Sequence, residues 1–337
     1  MINLLTIVYP KLRTPSGNKT YSDRIINGLS DAGYEFKKVG IRKIEFSLGG
    51  KPVGGIASQK MFTSLHSFRD HPIHSLVPEI TPKGGEIVTV HDIIPFIESS
   101  KFITSGYDRS AYKLMYGNAL NASVIISPTK TGKDQLISNL KLGEDKVRVV
   151  YESVDERKFY FDPVNPYRDN GKIHLLTVGD FNPRKRFDIL FDIVSKMDDI
   201  ELYHIGPTNS WSERALQLKK MISDKKNIFM LGIVDDSMLR RYYSHADLFV
   251  YISDAEGFGL PPIEAMACGT NVLVNDIPVF RETMGNIGFV SGVENFGESI
   301  RLALEKRHDR TLLLEYARNF SIKREIESLI AIYKEFE

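Results

Sequence analysis

The sequence predicts an α/β protein built from two domains, each with a parallel sheet. Apolar stretches of strand length alternate with amphipathic stretches of helix length along most of the chain, which is typical of parallel strands joined by helices. A length of 337 residues suits two domains of ordinary size. The alternation stops between residues 151 and 171, where Pro163, Pro166 and Gly171 occur, and this segment is predicted to link the domains.

The first half of the chain supplies the first predicted sheet. Strands are predicted at residues 4–8, 86–91, 123–127 and 147–150, and helices at residues 20–32, 106–120 and 129–140. Residues 46–60 are rich in glycine but neither follow a clear strand nor open a clear helix, so they are predicted to form a loop.

The second half repeats the pattern. Strands are predicted at residues 173–178, 201–205, 228–231, 248–252 and 272–274, and helices at residues 187–197, 212–222, 237–245, 260–268, 296–306 and 310–319. A last helix, residues 322–336, follows the cap-like Ser321 and is predicted to fold back over the first domain. The predicted domains are therefore residues 1–155 and 156–320, with residues 321–337 packing on the first.

Composition excludes several classes of protein. The hydrophobic fraction of 42% and the charged fraction of 26% are those of a soluble globular protein. No apolar run approaches the roughly 18 residues that a membrane span needs, and the opening MINLLTIVYP predicts a strand rather than a signal peptide. The single Cys268 excludes an internal disulfide and suits a reducing compartment. We expect a cytoplasmic protein, with peripheral contact at the cytoplasmic membrane face left open.

The charge of the chain is unevenly distributed. The net charge of +1 gives no reason to expect a nucleic acid partner. Residues 1–155 hold 20 Lys and Arg against 15 Asp and Glu, whereas the remainder holds 24 against 28. The basic first half suits an anionic partner such as a phosphorylated acceptor or a membrane surface, and a solvated basic face explains the same counts.

The stretch from residue 247 to residue 275 has the pattern of an anion site. An apolar strand leads through an acidic turn and a glycine-bearing loop into a helix that is expected to begin near Leu260, because prolines 261 and 262 suit a first helical turn. The N–H groups at such a helix start attract anions. Glu256 precedes the loop and Glu264 lies about one turn inside the helix, so both are placed to reach a ligand.

Other polar residues also follow predicted strands. Arg184, Lys185 and Arg186 lie in one loop and would suit a pyrophosphate, although a charged loop facing water has the same composition. His91 and Asp92 end another strand, where a histidine is either a ligand group or a structural residue. Parallel sheets bind ligands at their carboxyl ends, so we expect function in a cleft between the two domains.

Several familiar chemistries lack their motifs. The sequence contains no Walker phosphate loop, no dinucleotide fingerprint after the first strand, no nucleophile elbow and no Asp-x-Asp pair. His71 and His74 are three residues apart, but no Cys, His or carboxylate near them has metal-site spacing. We therefore expect neither a bound metal nor a cofactor.

The motifs together resemble a known family. EGFGLP followed by EAMACG is similar to the Glu-x7-Glu signature of the large retaining glycosyltransferase family with the GT-B fold, often numbered family 4. VGDFNPRKRFDIL resembles the second signature of that family, with Gly179 ending a strand and Lys185 in the phosphate-binding position. VTVHDIIPF, SPTK and YESVD resemble its first-domain and linker segments. The similarity is specific over residues 170–285 and looser before them.

The resemblance implies three catalytic residues. Lys185 would neutralise the distal phosphate of a nucleoside-diphosphate sugar, Glu256 would bind the sugar, and His91 would meet the 6-hydroxyl of the sugar. The family usually carries a second cation directly after the strand glycine. This chain has Asp180 there, and Arg184 is the expected substitute.

The resemblance also implies a set of substrate-binding residues. Glu264 would accept hydrogen bonds from the ribose hydroxyls, and the loop before its helix would hold sugar hydroxyls and phosphate through main-chain N–H groups. Gly17 would let the backbone approach the phosphate or the acceptor, and Asp92 would orient His91. The full implied set is Gly17, Asp92, Arg184, Gly257, Phe258, Gly259, Leu260 and Glu264.

These roles imply a retaining, metal-independent glycosyltransferase. No carboxylate stands out as a nucleophile, so front-face attack with a donor phosphate oxygen as the base is the expected mechanism. The donor is expected to be GDP-mannose, with a UDP-hexose as the alternative, and the acceptor a glycan, lipid-linked or protein hydroxyl. Two other functions stay open: a catalytically silent sugar-nucleotide-binding protein or partner subunit, and a GT-B epimerase or phosphorylase. The oligomeric state is not predicted.

The acceptor is expected to be set by variable loops at residues 9–20, 46–80 and 93–110. Aromatic and apolar residues alternate with cations in the last of these, which suits a lipid-linked acceptor at a membrane surface. An apolar patch beneath a loop would have the same composition. The residues concerned are Phe96, Lys101, Phe102, Ile103, Tyr107, Arg109 and Lys113.

Overall fold

The structure is a computed structural model that describes residues 4–12, 16–41, 46–48, 51–53, 72–97, 116–207 and 213–337. The chain divides into two compact units. The first comprises Met1–Tyr151 together with Ile322–Glu337, and the second comprises Glu152–Ser321. Among the described residues, no helix is both long enough and apolar enough to cross a membrane.

The first unit contains a sheet of six parallel strands in the order β2-β1-β5-β6-β7-β8 and a separate antiparallel pair, β3-β4. The strands are β1 (Leu5–Pro10), β2 (Phe36–Ile41), β3 (Phe46–Leu48), β4 (Lys51–Val53), β5 (Ile73–Ser75), β6 (Ile87–Thr89), β7 (Val124–Ser127) and β8 (Val147–Val149). The central strands are buried except at the half-buried Tyr9 of β1, as expected for a parallel sheet covered on both faces.

Two helices of the first unit begin at side-chain caps. The labelled helices before residue 151 are α1 (Gly17–Asp31), α2 (Ile94–Ile97) and α3 (Lys130–Leu140), and residues 116–120 are also helical. The Ser16 hydroxyl accepts a hydrogen bond of 3.2 Å from the Lys19 N–H, so α1 begins three residues before its predicted start. Thr129 caps α3 in the same way, accepting from the Gly132 N–H at 2.9 Å.

The second unit also contains six parallel strands, in the order β11-β10-β9-β12-β13-β14. They are β9 (Ile173–Val178), β10 (Ile200–Ile205), β11 (Ile228–Gly232), β12 (Leu248–Tyr251), β13 (Val272–Asn275) and β14 (Phe289–Ser291). The helices are α4 (Phe187–Val194), α5 (Glu213–Ile222), α6 (Asp236–His245), α7 (Leu260–Ala267), α8 (Pro278–Met284), α9 (Phe296–Glu305) and α10 (Arg310–Ala317). The chain leaves β9 towards β10 on one side, while β12 continues to β13 on the other, so the strand order reverses between β9 and β12.

The last helix, α11 (Ile322–Tyr333), packs on α1 within the first unit. Arg24 and Glu325 form a buried ion pair of 3.1 Å between the two helices. A side chain at Gly28 would bring its Cβ within 2.7 Å of Ile326 Cγ1, so the helices approach closely there. The prediction that this helix returns to the first domain is confirmed.

The structure corrects the prediction at several elements. Strands β2, β5 and β14 were not predicted, because β2 carries exposed lysines at a sheet edge and the other two are only three residues long. The described part of residues 46–60 forms the β3-β4 pair rather than a loop. Helix α4 ends three residues before its predicted end. Of the predicted helix 106–120, only residues 116–120 are described, and they are helical; the acceptor-loop residues 101–113 lie outside the described residues.

Candidate active site

The candidate site of the second unit lies where β9 and β12 end side by side. The two strands are parallel neighbours in the sheet, so their carboxyl ends bring residues 179–186 and residues 252–259 together. The Asp254 N–H donates a hydrogen bond of 2.7 Å to the Arg184 carbonyl, which ties the two loops. This crevice at the point of strand reversal is where open α/β sheets bind ligands.

Four side chains converge there, and we call them the Glu256 cluster: Arg184, Lys185, Tyr251 and Glu256. Arg184 Nη1 lies 2.6 Å from Glu256 Oε1, and Lys185 Nζ lies 3.7 Å from the same oxygen. The Tyr251 hydroxyl donates to this oxygen at 3.0 Å and accepts from Lys185. Two cations and one phenol therefore share a single carboxylate oxygen.

The charges in the cluster depend on each other. Burial raises the pKa of the Glu256 carboxyl, but Lys185 and then Arg184 outweigh it and lower that pKa to about 2. Burial lowers the pKa of Lys185, and Glu256 opposes this shift. The carboxylate thus favours the charged form of the buried Lys185 and opposes the effect of burial.

Two glycines let the backbone pack tightly beneath Lys185. A side chain at Gly206, which follows β10, would place its Cβ 2.0 Å from the Gly179 carbonyl oxygen, and no side chain can occupy that space. A Cβ at Gly179 would lie 3.0 Å from Lys185 Cδ. The sequence prediction singled out Gly179 but missed Gly206, whose signal is a glycine placed directly after a strand.

The neighbouring charges do not join the cluster. Arg186 contacts Asp188 at 3.4 Å and Asp254 at 3.2 Å, so only two of the three predicted cations converge. Asp180 is exposed at the position where the resemblance leads us to expect a cation. Arg184 supplies the second cation in space, although whether it binds phosphate stays a prediction.

Helix α7 begins at Leu260 with prolines in its first turn, as the sequence predicted. Gly259 has φ 89°, and a Cβ there would lie 2.8 Å from the Phe280 ring, so glycine is required at this position. The Phe258 side chain is buried and packs at 5.4 Å from the Phe320 ring. Of Phe258, therefore, only the main chain is a candidate for ligand binding.

Glu264 lies in the second turn of α7 and is held by a buried tyrosine. The Tyr243 hydroxyl on α6 donates a hydrogen bond of 2.9 Å to Glu264 Oε2. Burial and the nearby Glu264 raise the pKa of Tyr243, so the phenol stays protonated. The sequence prediction found Glu264 but not Tyr243, because nothing in the chain spacing links the two helices.

A side-chain amide fixes the loop that carries Glu256. Asn275, at the end of β13, accepts a hydrogen bond of 2.8 Å from the Ser253 N–H and donates one of 2.9 Å to the Ser253 carbonyl. The Ala255 carbonyl accepts from Ser253 Oγ at 3.0 Å and from Arg184 at 2.7 Å. The loop before α7 is thus held from both sides, a role that the sequence prediction did not assign to Asn275.

The first unit holds the remaining predicted site residues. His91 Nε2 lies 3.1 Å from the Leu76 carbonyl, and because a carbonyl only accepts, this nitrogen carries a proton. Asp92 Oδ1 accepts from the Ile94 N–H at 3.1 Å. Gly17 is the exposed first residue of α1, and a Cβ there would meet no atom within 4 Å, so the fold of this unit does not require glycine.

A buried carboxyl near His91 was missed by the sequence prediction. Glu79 lies in the short turn Pro78–Ile80 after β5, and its Oε2 atom is buried without a hydrogen-bond partner. Burial raises the pKa of Glu79, while its own backbone N–H and His91 oppose the shift and Asp92 adds to it. A glutamate after a proline in a three-residue turn gives no signal of this in the sequence.

The described residues contain no group of three or more His, Cys, Asp or Glu side chains that could hold a metal ion. What the second unit offers instead is a pair of cations beside a carboxylate, a helix start and a second carboxylate on that helix. This arrangement can hold a phosphorylated ligand and a polyhydroxyl group next to each other.

Comparison with known proteins gives a family model and several sequence relatives. Residues 162–320 match the family model described as glycosyl transferases group 1. The O-antigen chain mannosyltransferase RfbU of Salmonella typhimurium is 31% identical over 205 residues, 60% of this chain and 55% of that protein. The O-antigen biosynthesis glycosyltransferase WbnH of Escherichia coli is 30% identical over 193 residues, 57% and 52% respectively. The chain thus spans about half the length of these two relatives.

Solved structures extend the likeness to the whole chain. Sucrose-phosphate synthase from Thermosynechococcus elongatus has a TM-score of 0.81 at 16% identity and covers 98% of both chains. HepE from Anabaena, in complex with UDP and glucose, has a TM-score of 0.74 at 13% identity and covers 98% of this chain and 100% of its own. At such identities the likeness concerns the fold alone. Residues 162–320 thus match the model of the glycosyl transferases group 1 family, and the chain has the GT-B fold of two Rossmann-like domains.

Proposed function

We propose that the protein is a retaining, metal-independent glycosyltransferase that moves a sugar from a nucleoside-diphosphate sugar to a hydroxyl acceptor. The observation that carries the proposal is the Glu256 cluster, in which Arg184 and Lys185 meet one carboxylate oxygen at the carboxyl ends of β9 and β12. This is the charge pattern that a diphosphate next to a sugar would need, and it lies within the region that matches the family.

The two cations would stabilise the leaving group. As the glycosidic bond to the diphosphate breaks, negative charge grows on the distal phosphate, and Lys185 with Arg184 would neutralise it. These side chains would supply the positive charge that a divalent metal supplies in other transferases, which is the basis for proposing metal independence. For a retaining transfer, the acceptor hydroxyl would attack from the face that the diphosphate leaves, and a phosphate oxygen of the donor would take the proton.

Binding of the nucleotide and sugar would fall to the residues around α7. Glu264, oriented by Tyr243, would accept hydrogen bonds from the two ribose hydroxyls. The main-chain N–H groups from Gly257 to Leu260, at the helix start, would hold phosphate and sugar hydroxyls. Glu256 would bind the sugar itself, and with its pKa near 2 it would do so as an acceptor of hydrogen bonds.

His91, Asp92 and Gly17 keep the roles that the resemblance implies: the sugar 6-hydroxyl, the orientation of His91, and close approach of the backbone. The donor preference is GDP-mannose over a UDP-hexose, and the name of the relative RfbU, a mannosyltransferase, supports it. A growing glycan or lipid-linked glycan is the proposed acceptor. We place the reaction in the cytoplasm, with peripheral membrane contact as the setting for a lipid-linked acceptor.

Calorimetry with GDP and UDP tests the first step. We expect one of the two to bind, with affinity unchanged by EDTA. If neither nucleotide binds, the proposal fails. A donor screen read by product mass then identifies the sugar, and the anomeric coupling of the product in proton NMR reports whether configuration is retained. Nucleotide binding without release or transfer of sugar from any donor would instead favour the silent-protein alternative.

Neighbouring arginines provide a matched pair of variants. Arg184→Gln removes a cation from the cluster, and it should lower kcat by about tenfold to a hundredfold because one charge-assisted contact to the leaving group is lost. Arg186→Gln makes the same change two residues away, where the side chain contacts Asp188 and Asp254. Equal losses of transfer in the two variants would contradict the role given to Arg184.

A second comparison separates binding from turnover. Glu264→Ala should raise the Kd of the nucleoside diphosphate about tenfold or more, because the ribose loses its acceptor. His91→Ala should leave that Kd within about twofold and lower kcat. The opposite pattern, or equal effects on both quantities, would refute the division of roles.

A further inference from the structure

A buried chain of hydrogen bonds runs through the first unit from α11 to the strand that precedes His91. His74 Nδ1 lies 2.7 Å from the Tyr333 hydroxyl, and His74 Nε2 lies 2.9 Å from Thr89 Oγ1. The Tyr21 hydroxyl lies 3.1 Å from the same Thr89 oxygen. We call Tyr21, His74, Thr89 and Tyr333 the His74 chain. All four are at most 3% exposed, so water does not compete for these bonds.

The imidazole couples the directions of the two bonds that it makes. Burial, with a smaller contribution from the nearby His91, lowers the pKa of His74 to about 3, so its ring is neutral at neutral pH. A neutral imidazole has one donor nitrogen and one acceptor nitrogen. If Tyr333 donates to His74, then His74 donates to Thr89, and the Thr89 hydroxyl either donates to Tyr21 or accepts from it. If His74 donates to Tyr333, then Thr89 donates to His74 and accepts from Tyr21. In each arrangement the bonds at His74 polarise each other.

The chain ends against His91. The Tyr21 ring meets the His91 ring edge to face, with centroids 4.4 Å apart and planes at 83°. Thr89 is the last residue of β6 and precedes His91 by two residues in the chain. A further contact of the His91 ring is the bond from Nε2 to the Leu76 carbonyl.

Helix α11 holds Tyr21 by a second route. The Arg24 guanidinium lies 5.3 Å from the centroid of the Tyr21 ring and forms the buried ion pair with Glu325 on α11. Tyr333 and Glu325 lie eight residues apart on that helix, about two turns. The last helix therefore supports the Tyr21 ring through a hydroxyl chain and through an ion pair.

We infer that Tyr21 and Thr89 are positioning residues for His91, and that α11 fixes them through Tyr333 and His74. The inference rests on the proposed function only for the role of His91, which is to contact the sugar. A ring held by a carbonyl on one nitrogen and an aromatic edge on its face keeps one orientation before substrate arrives. Loss of the Thr89 hydroxyl would break two bonds of the His74 chain at once, and the Tyr21 hydroxyl would lose its bond to that chain.

Threonine 89 permits a test that keeps side-chain shape. Thr89→Val removes the hydroxyl without changing the branched outline, and Thr89→Ser restores it. Thr6→Val is the matched control, because Thr6 lies 2% exposed on β1 of the same sheet and its Oγ1 has no hydrogen-bond partner. We expect Thr89→Val to lower kcat about fivefold to tenfold, because the two buried bonds to Thr89 are lost, with donor KM within about twofold. Thr89→Ser should recover most of this loss, and Thr6→Val should leave kcat unchanged.

Nitrogen-15 NMR of the imidazoles gives a second readout that does not need turnover. His91→Gln identifies the His91 signals among those of the eight histidines. The positioning role is supported if the His91 signals shift in Thr89→Val, return in Thr89→Ser and stay unchanged in Thr6→Val. This result would hold even if the protein turned over no donor. The NMR experiment therefore distinguishes failure of the inference from failure of the proposed function. The inference would be overturned if Thr89→Val and Thr6→Val had the same effect on the His91 signals and on kcat.

Discussion

Replacing Glu256 by glutamine removes the carboxylate that Arg184 and Lys185 share, while it keeps the size of the side chain. In the folded protein the pKa of Glu256 lies at about 2, against an ordinary value of 4.5. A difference of about 2.5 in pKa corresponds to about 3 kcal/mol of stabilisation of the charged form. The side chain is only 8% exposed, so solvent screens little of this. We expect Glu256→Gln to lower the free energy of unfolding by about 3 kcal/mol at pH 7.

The pH dependence of this difference follows from the sign of the shift. The pKa is lower in the folded state than in the unfolded state, so the stabilisation is complete above pH 4.5 and is lost as pH falls towards 2. The difference between the wild type and Glu256→Gln should therefore be constant from pH 8 to pH 6. At pH 3 it should have fallen to about half or less.

Urea unfolding followed by circular dichroism measures both quantities. Glu305→Gln serves as the control, since Glu305 is exposed on α9 and should change the free energy of unfolding by less than about 0.5 kcal/mol. The reasoning is refuted if Glu256→Gln costs less than about 1 kcal/mol at pH 7. It is also refuted if its cost stays constant from pH 6 down to pH 3.

Three further substitutions test single contacts. Gly206→Ala should lower the free energy of unfolding by about 3 kcal/mol, because the new Cβ would meet the Gly179 carbonyl at 2.0 Å; an unchanged urea midpoint would contradict this. Tyr243→Phe should raise the donor KM about fivefold at nearly constant kcat, because Glu264 loses the hydrogen bond that orients it. Steady-state kinetics measure both constants, and a fall in kcat alone would contradict this role of Tyr243. Gly17→Ala should leave the free energy of unfolding within about 0.5 kcal/mol of the wild type, since the new Cβ would meet no atom within 4 Å. The same variant should raise KM for donor or acceptor, and unchanged kinetics would show that Gly17 is not part of the site.

Much of the second unit could be predicted from the sequence because its signals are local. The strand before residue 252, the glycine loop and the prolines that open α7 stand next to each other in the chain, and each has a direct physical meaning. Glu256 and Glu264 were singled out because they flank these signals, and Lys185 because it follows another strand in a loop with two arginines. The GT-B fold followed from the strand and helix alternation together with the resemblance, and the structural comparison confirms it.

The contacts that organise the site could not be predicted in the same way. Tyr251 bridges Lys185 and Glu256, and Asn275 holds the loop from the next strand, but these pairs depend on strand order rather than on chain spacing. Gly206 is required by the carbonyl of a residue 27 positions earlier. A single sequence shows that a residue follows a strand, whereas it does not show which neighbour the sheet will place beside it.

The arrangement of the Glu256 cluster also affects the charge of the buried Lys185 before a phosphate would bind. Burial favours the neutral amine, and Glu256 opposes that by placing a carboxylate 3.7 Å from the ammonium. An incoming diphosphate would bring a second anion to the same cations, and it too would favour the charged form of Lys185. The carboxylate would then be released to accept hydrogen bonds from the sugar. On this account Glu256→Gln should lower kcat even at pH values where the variant is fully folded, because Lys185 would lose the anion that favours its charged form before the donor binds.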